Sequence, residues 1–375
     1  MSTPDPTDGL QLSPLHERHL ALGARLGEFG GWSMPLEYAT GVVAEHTAVR
    51  EKVGLFDVSH LGTVLVTGAG AADLVDATLS NDLGRIQHGQ AQYTLCCDDS
   101  GGVVDDLIVY FFDEDKLLLV PNAANAAEVV RRLAEAAPAD VRVSDEHADH
   151  AVLAVQGPAA EAVLRDVGLP TGHDYMSFRE AEGFAALGAP VVVCRTGYTG
   201  ERGYELITPA VAAGDLWDAL VEAGGPHGLT PAGLGARDTL RTEMGYPLHG
   251  QDLSTDTTPV QARMRWAVGW DKPTFWGAEA LRAEREAGPS RTLRGLRAVG
   301  RGIPRPGMTV SHDGVAIGTL TSGTFSPTLR TGIGLAYLAT DPALPDGTEV
   351  SVDVRGRAHA FTLVRPPFVD TSVRS

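Results

Sequence analysis

Cysteine is scarce in this 375-residue chain, which contains only Cys96, Cys97 and Cys194. Two of the three are neighbours in an apolar segment, and no C-x-x-C pair is present. This pattern argues against a disulfide-stabilised scaffold and against a metal site built from thiolates. All three cysteines are expected to be small buried hydrophobic side chains.

Positive charge is also in short supply. The formal net charge is −18 at pH 7, and lysine occurs only as Lys52, Lys116 and Lys272. Non-specific nucleic-acid binding needs a basic field, so we expect no nucleic-acid partner. An anionic ligand would have to be held by a local cluster of arginines.

No apolar run reaches the length needed to cross a bilayer, and the longest, near Leu107–Phe112, fits a buried strand. The first residues, MSTPDPTDGLQ, are polar and lack the basic-then-apolar order of a secretion signal. We therefore expect a cytoplasmic protein without membrane contact. The length of the chain predicts two or three domains.

The stretch from Gly89 to Asn125 has the clearest local pattern. Turns rich in Asp and Gly separate β-branched and aromatic runs, which is typical of consecutive antiparallel strands. The predicted strands are Gln90–Cys97, Val103–Phe112 and Lys116–Pro121. Asn125 is then predicted to cap a helix over Ala126–Ala136.

Two adjacent carboxylates, Asp105 and Asp106, interrupt the second of these strands. Successive side chains of a strand alternate between faces, so one Asp is expected near solvent and the other inside the protein. A carboxylate that faces the interior is costly unless something pairs with it or uses it. The alternative is an acidic turn that runs on into the strand, and the pattern alone does not decide between the two.

Short helices alternate with antiparallel strands over most of the chain, which predicts an α+β fold. The first helices are predicted over Leu15–Leu26 and Glu37–Val53, with His46 as a core histidine of the second. Beyond about Glu286 the pattern changes to short strands with Gly and Pro turns, typical of a small antiparallel barrel. We therefore divide the chain into residues 1–285 and 286–375.

Nine segments, in order along the chain, resemble the aminomethyltransferase family of the glycine cleavage system, known as T-proteins. They are GGWSMPL (30–36), GLFDVSHLG (54–62), GGVVDDLIVY (101–110), PNAAN (121–125), VQGP (155–158), RTGYTGERGYEL (195–206), PAGLGARDTLR (231–241), GYPLHGQD (245–252) and TSGTFSPTL (321–329).

This resemblance implies a folate-binding region of two intertwined α+β domains and a C-terminal antiparallel β-barrel, arranged around a central folate channel. It implies a reaction in which an aminomethyl group on the dihydrolipoyl arm of the lipoylated H-protein gives its carbon to tetrahydrofolate. The products are 5,10-methylenetetrahydrofolate, dihydrolipoyl H-protein and ammonia. Tetrahydrofolate is then a co-substrate, the H-protein a transient partner, and no metal is expected.

Asp106 matches the catalytic aspartate of the family, where a carboxylate can orient the folate N5 and stabilise positive charge on the transferred carbon. Asp105 is then a solvent-side neighbour or a structural partner. Glu205 interrupts an apolar strand, and the resemblance implies that it binds the pterin through two parallel hydrogen bonds. Its alternative is an acid at a strand edge on the surface.

Arg237 and Arg241 lie four residues apart on one face of a predicted helix. The resemblance places Arg237 at the folate site, against the alternative of an exposed arginine with a local acidic partner, and Arg241 is interpreted as structural. Further matches to the family's folate pocket, each of which could also be a packing residue, are Tyr93, Tyr110, Asn122, Tyr175, Tyr198 and Arg374.

Two other functions remain open from the sequence. One is a related folate-dependent demethylase, although such relatives often change the acid at the position of Asp106. The other is a non-catalytic folate-binding protein of iron–sulfur maturation, whose KGCYxGQE-type cysteine motif is missing at Arg195–Glu201.

Overall fold

The computed structural model describes residues 9–181, 188–371 and 373. Helices are distributed over the first three quarters of this part of the chain. They are α1 His16–Ala21, α2 Val42–Glu51, α3 Ala71–Thr78, α4 Ala126–Ala136, α5 Ala160–Val167, α6 Ala213–Gly224, α7 Leu234–Met244 and α8 Ala278–Ala287.

The strands of the helix-containing region precede those of a separate barrel. They are β1 Gln11–Leu12, β2 Arg25–Phe29, β3 Trp32–Glu37, β4 Val53–Asp57, β5 Val64–Thr67, β6 Gln90–Cys97, β7 Val103–Asp113, β8 Lys116–Val120, β9 Arg142–Asp145, β10 His150–Gln156, β11 Phe178–Ala181, β12 Val191–Cys194, β13 Gly203–Pro209 and β14 Leu229–Pro231. The barrel strands are β15 Arg291–Ala298, β16 Thr309–His312, β17 Val315–Ser326, β18 Thr331–Ala339, β19 Glu349–Val354 and β20 Arg357–Val364.

Two sheets of the first region are built from interleaved parts of the chain. A six-stranded sheet has the order β11-β12-β13-β10-β4-β14, and a five-stranded sheet has the order β6-β7-β8-β5-β9. The chain leaves the first sheet after β4, builds the whole second sheet, and returns as β10 beside β4. This arrangement confirms the prediction of two intertwined α+β domains.

The second sheet contains the three consecutive strands predicted from the sequence. Asp98 closes the first turn, since its carboxylate accepts hydrogen bonds from the backbone N–H of Ser100 and of Gly102, both at 2.9 Å. This is the local chemistry expected of an Asp-rich turn. Apolar side chains from both sheets, including Phe56, Tyr110 and Phe178, form a core between them.

The C-terminal strands close into a barrel in the order β15-β18-β17-β16-β19-β20. Every neighbouring pair in it is antiparallel, which confirms the predicted barrel. Alternate residues such as Leu296, Val352 and Phe361 point inward and form its core. The division of the chain at residues 285 and 286 stays a prediction; in the structure α8 ends at Ala287 and β15 begins at Arg291.

Two predicted helices are wrong in extent. The helix predicted over Leu15–Leu26 ends at Ala21, because Gly23 adopts a positive φ of 68° and the chain then enters β2. The helix predicted over Glu37–Val53 is confined to α2. His46 is buried on α2, as predicted, and its Nδ1 lies 2.8 Å from the hydroxyl of Thr239.

Helix α7 fastens the barrel to the rest of the protein. The carboxylate of Glu243 is buried and accepts hydrogen bonds from Arg50 on α2 (2.8 Å) and from Ser326 (2.5 Å) on the barrel. Two residues earlier, Arg241 donates to Asp252 at 2.8 Å and to Ser322 at 2.9 Å. The two barrel serines belong to the segment TSGTFSPTL, so this segment serves as the attachment to α7.

The three cysteines are free and buried, as predicted. Within residues 9–181, 188–371 and 373, no helix is long and apolar enough to span a membrane. The same residues include no group of three or more His, Cys, Asp or Glu side chains that could hold a metal ion.

Candidate active site

Strand register brings Asn122 against the carboxylate pair on β7. Strands β7 and β8 are antiparallel, with Ile108 opposite Val120. The same register continued by two residues places Asn122 opposite Asp106, just beyond the end of β8. The amide nitrogen of Asn122 accordingly lies 3.0 Å from Oδ1 of Asp106 and 3.0 Å from Oδ1 of Asp105.

Tyr93 holds the other oxygen of Asp106. Leu95 is the cross-strand partner of Asp106, and Tyr93 lies two residues before it on the same face of β6. The Tyr93 hydroxyl donates to Oδ2 of Asp106 at 2.8 Å. Asp106 therefore has a side-chain donor on each of its carboxylate oxygens.

Burial raises the pKa of Asp106, while the hydrogen bond from Tyr93 and the nearby His249 act in the opposite direction. Burial and the charge of Asp106 together raise the pKa of Tyr93 well above its usual range. Tyr93 thus remains a neutral donor over the whole working range of an enzyme. Asp106 keeps partial exposure, in contrast to its neighbour Asp105.

A solvent-side position for Asp105 is wrong, and so is an acidic turn running into the strand. The Asp105 side chain is fully buried and accepts hydrogen bonds from the backbone N–H of Asn122 (3.0 Å) and the amide of Asn125 (2.7 Å). Both carboxylates turn toward the residues that follow β8, where three N–H donors offset their burial. Of the two roles considered for Asp105, the structural partner is the one observed.

Glu205 lies inside the six-stranded sheet and not at its edge, because β13 is flanked by β10 and β12. Its side chain is buried, with 8% of the residue surface exposed. Thr196 donates to Oε2 of Glu205 at 2.6 Å, and the hydroxyl of Tyr110 lies 3.1 Å from that of Thr196. Tyr110 shares the β7 face of Asp106, so these contacts link the strand of Asp106 to that of Glu205.

Arg237 lies in the first half of α7, with its guanidinium carbon 4.9 Å from the ring centroid of Tyr198. Its Nη1 is buried and has no hydrogen-bond partner within the described part of the chain. Burial lowers the pKa of Arg237, whereas the charge of Glu205 counteracts this shift. An arginine oriented in this way has a free donor for a ligand. The structure therefore rules out the alternative in which Arg237 is an exposed arginine paired with a local acid.

Tyr198 is fixed by a hydrogen bond from its hydroxyl to the carbonyl oxygen of Pro247. Its ring also approaches that of Tyr246, at a centroid distance of 5.8 Å. Burial, with the charge of Tyr175, raises the pKa of Tyr246 to about 12. These three tyrosines therefore form one aromatic neighbourhood beside Arg237.

Tyr175 and Arg374 are the two predicted site residues not yet described. Tyr175 is partly buried and lies close enough to influence Tyr246, whereas Arg374 lies outside the described residues. His60, in the segment GLFDVSHLG, is buried near Arg237 and has an Nδ1 without a partner among the described residues. Burial, together with the charge of Arg237, lowers the pKa of His60 to about 3, so its ring is neutral.

An exposed tryptophan marks the outer side of the Asp106 cluster. Trp266 is 62% exposed, and its ring lies 5.2 Å from that of Tyr93. Beyond it opens a cavity of about 630 Å³, lined in part by Arg263 and Arg294. The lining includes neither Asp106 nor Glu205, so this cavity is separate from the cluster described above.

Sequence reasoning missed Asn125, Thr196 and His249 as members of the site. Asn125 was predicted to be a helix cap, but its side chain makes no capping hydrogen bond and turns to Asp105 instead. Thr196 and His249 had no local signal, since isolated polar residues in Gly-rich loops are common. Their contacts arise from chain segments that are distant in sequence.

The arrangement combines a partly exposed carboxylate held by two donors, a buried glutamate, and an arginine with one N–H that has no partner among the described residues. Such a site can hold a flat ligand that has N–H donors on one edge and can stabilise positive charge beside Asp106. Neutral tyrosines supply surfaces for stacking.

Comparison with known proteins decides the family. A family profile described as the GCVT N-terminal domain matches residues 15–272, and one described as the glycine cleavage T-protein C-terminal barrel domain matches residues 291–370. The chain belongs to the glycine cleavage T-protein family. The resemblance noted in the sequence is thereby confirmed.

Curated T-protein relatives match over nearly their whole length. An aminomethyltransferase of Frankia alni is 64% identical, with 97% of this chain and 99% of the relative covered. An aminomethyltransferase of Parafrankia sp. is 63% identical, again with 97% of this chain and 99% of the relative covered. One of Mycobacterium tuberculosis is 58% identical, with 96% of this chain and 97% of the relative covered.

A solved structure supports the T-protein fold directly. The glycine cleavage system aminomethyltransferase T of Bartonella henselae superposes with a TM-score of 0.91 at 35% identity, with 98% of this chain and 100% of that chain covered. The predicted fold class and the predicted aminomethyltransferase activity are confirmed by these matches. Neither the demethylase nor the iron–sulfur alternative gains support from them.

Proposed function

We propose that this T-protein transfers the methylene carbon of the aminomethyl group on dihydrolipoyl H-protein to tetrahydrofolate. The carbon leaves sulfur and nitrogen and becomes the bridge between N5 and N10 of the folate. N5 and N10 each lose one hydrogen. One of these hydrogens completes the thiol of the dihydrolipoyl arm, and the other completes ammonia. The reaction needs no oxidant.

The setting of Asp106 is the observation that carries this proposal. Its carboxylate is held at one oxygen by Tyr93 and at the other by Asn122, so its direction is fixed before any ligand arrives. A negative charge fixed in this way stabilises an iminium-like carbon without reorganisation during the reaction. The same carboxylate can hold N5 of the folate in line with that carbon.

Glu205 and Arg237 are assigned to the pterin ring. A buried carboxylate with a free oxygen can accept two parallel hydrogen bonds from a ring N–H and an exocyclic amine. Oε2 of Glu205 accepts from Thr196, and no hydrogen bond from the described residues reaches Oε1, which is therefore open to the ligand. The unpaired Nη1 of Arg237 is suited to a pterin oxygen or ring nitrogen.

The remaining predicted residues complete the pocket. Tyr110, Tyr175 and Tyr198 are assigned to ring packing, Tyr93 and Asn122 to the support of Asp106, and Arg374 to the folate tail. The H-protein is the transient partner, and a cytoplasmic location belongs to the same proposal.

The test is ammonia release from aminomethylated H-protein, measured with and without tetrahydrofolate. Wild type is expected to show folate-stimulated release, and Asp106→Asn to lose most of the turnover while it keeps the wild-type melting temperature and folate affinity. Full activity in a folded Asp106→Asn variant would remove Asp106 from the mechanism. Tight folate binding without any ammonia release by wild type would refute the transfer reaction.

A further inference from the structure

The side-chain amide of Asn122 is oriented by Asp105 and Asp106 together. Oδ1 of Asp105 and Oδ1 of Asp106 both lie 3.0 Å from the same amide nitrogen. The backbone carbonyl oxygen of Asp106, which can only accept, lies 2.9 Å from the same nitrogen, so the NH₂ group of Asn122 faces the two acids and its carbonyl oxygen faces away. No hydrogen bond from the described residues reaches that oxygen, which leaves it available to a ligand N–H.

Asp105 fixes Asn122 in this orientation. It accepts from the backbone N–H and from the side-chain amide of Asn122, both at 3.0 Å, and from the amide of Asn125 at 2.7 Å. Its residue surface is fully buried, so it cannot touch a substrate. All three donors belong to the turn from Asn122 to Asn125, which also supplies the hydrogen bond to Oδ1 of Asp106. Asp105 therefore acts on Asp106 through that turn, in addition to the direct repulsion between the two neighbouring carboxylates.

His249 fixes Asn125 in turn. Its Nε2 lies 3.1 Å from the carbonyl oxygen of Val103, which can only accept, so Nε2 carries the hydrogen. Its Nδ1 lies 3.0 Å from the amide nitrogen of Asn125 and is therefore the acceptor. Both N–H bonds of Asn125 are then used, one toward Asp105 and one toward His249.

We propose that Asp105 and His249 are positioning residues for Asp106, acting through Asn125 and Asn122. Together they orient the Asp106 carboxylate and present the Asn122 carbonyl oxygen on the open side of the site. Without them the Asn122 amide keeps only its contacts with Asp106, at Oδ1 and at the backbone carbonyl oxygen, and the turn that carries it is less firmly held. As an account of catalysis, this inference rests on the proposed transfer to tetrahydrofolate.

Two variants of His249 separate positioning from simple packing. In His249→Asn the amide oxygen replaces Nδ1 as the acceptor for Asn125, whereas His249→Gln places its amide near Nε2 and Val103 and leaves Asn125 without its acceptor. We expect His249→Asn to retain the larger share of kcat. His249→Gln should lose about tenfold in kcat, with KM for tetrahydrofolate within about twofold of wild type. His312→Gln, on barrel strand β16, is the matched control and should leave both constants unchanged.

Asp105→Asn is the second variant. It keeps the side-chain shape, but its NH₂ group must face at least one of the three N–H donors, so one contact is lost and kcat should again fall about tenfold. Equal kcat in His249→Asn and His249→Gln, or losses confined to KM, would overturn the proposal. Melting temperatures recorded for each variant separate these outcomes from unfolding.

A titration that does not depend on turnover distinguishes this proposal from the proposed function. The charged and titratable groups facing Asp106 are Tyr93, Asp105, Tyr198 and His249. Both His249 variants lose the imidazole, but only His249→Gln also leaves the Asn125 amide without the acceptor that orients it, which loosens the turn that holds Asn122 against Asp106. The pKa of Asp106, followed by carboxyl ¹³C NMR, should therefore be higher in His249→Gln than in His249→Asn. If wild type releases no folate-dependent ammonia, the transfer reaction fails, and equal Asp106 pKa values would still refute positioning on their own.

Discussion

The hydroxyl of Tyr93 lies 2.8 Å from Oδ2 of Asp106 and donates to it from the neighbouring strand. This hydrogen bond opposes the rise that burial imposes on the pKa of Asp106. It therefore favours the ionised carboxylate, which is the form that stabilises positive charge on the transferred carbon. The tyrosine therefore lowers the pH at which the Asp106 carboxylate becomes ionised, against the effect of burial.

Tyr93→Phe should move the acid limb of the kcat–pH profile to higher pH. Removing the donor raises the pKa of Asp106, so a larger fraction of the enzyme is protonated and inactive just above the wild-type limb. A shift of about one pH unit is expected for the loss of one hydrogen bond to a charged group. Tyr337→Phe, which loses a hydroxyl contact to the carbonyl of Asp252, serves as the matched control. An unmoved limb in Tyr93→Phe would separate Tyr93 from the ionisation of Asp106.

Glu205→Gln should weaken tetrahydrofolate binding. The amide oxygen of Gln can still accept from Thr196, so the fold is kept, but one of the two acceptors offered to the pterin becomes a donor. A loss of about 10- to 100-fold in affinity is expected, measured as Kd by fluorescence or calorimetry. Glu180→Gln, an exposed change on β11 of the same sheet, should have no effect. Equal affinity in the Glu205 variant and wild type would contradict the pterin assignment.

Arg237→Met and Arg241→Met should affect stability in opposite ways. Arg237 has a buried N–H without a partner in the described chain, so replacing it with an apolar side chain should leave the free energy of unfolding unchanged or raise it. Arg241 is paired with Asp252, and its loss would leave this buried carboxylate without its cationic partner, at a cost of about 3 kcal/mol. Urea unfolding measures both values.

The folate affinity of Arg237→Met gives a second test of the role of Arg237. Arg237→Met should lose folate affinity despite its stability, because it removes the free donor of the site. A stable Arg237→Met variant that binds folate normally would place Arg237 outside the pocket.

Glu243 should confer a pH-dependent part of the stability. Burial alone would raise its pKa, but His46, Ser326 and Arg50 outweigh burial and lower the pKa to about 2. A depressed carboxyl pKa contributes stability that is fully present above the unfolded value, near 4.5, and is lost as the pH falls toward 2. The contribution is on the order of 3 kcal/mol.

The corresponding measurement is the difference in unfolding free energy between wild type and Glu243→Gln at several pH values. This difference should be largest above pH 5 and should shrink steadily below pH 4.5. A difference that is constant across this range would show that the charge of Glu243 is not what matters.

Local chemistry was sufficient to predict several elements of this fold. The Asp and Gly turns around β6, β7 and β8 predicted those strands to within one residue, because turn formation depends on side chains close in sequence. The prediction that the first helix extends beyond Ala21 was wrong for a related reason. Gly23 has a left-handed conformation that ends α1, and an apolar pattern does not reveal the backbone angle of a single glycine.

The site was predicted less completely. Asp106 and Glu205 were identifiable because a charge inside an apolar strand is unusual, and the resemblance gave them roles. The burial of Asp105 could not be predicted, because it depends on Asn122 and Asn125, which reach it only through the pairing of β7 with β8. His249 is more distant still, since a separate loop brings it to Asn125.

The five-stranded sheet begins and ends at the same place in space, since Val64 of β5 and Asp145 of β9 are cross-strand partners. The chain between them is thus an insertion that starts and ends beside the six-stranded sheet. Strands β4 and β10 of that sheet pair directly with each other and do not depend on the insertion for their contact. In principle, residues 64–145 could be excised and the gap sealed by a short linker without separating any neighbours in the sheet that stays. Asp106 would depart with the excised module while Glu205 would remain, so the topology divides this site into two halves that are separable as pieces of chain.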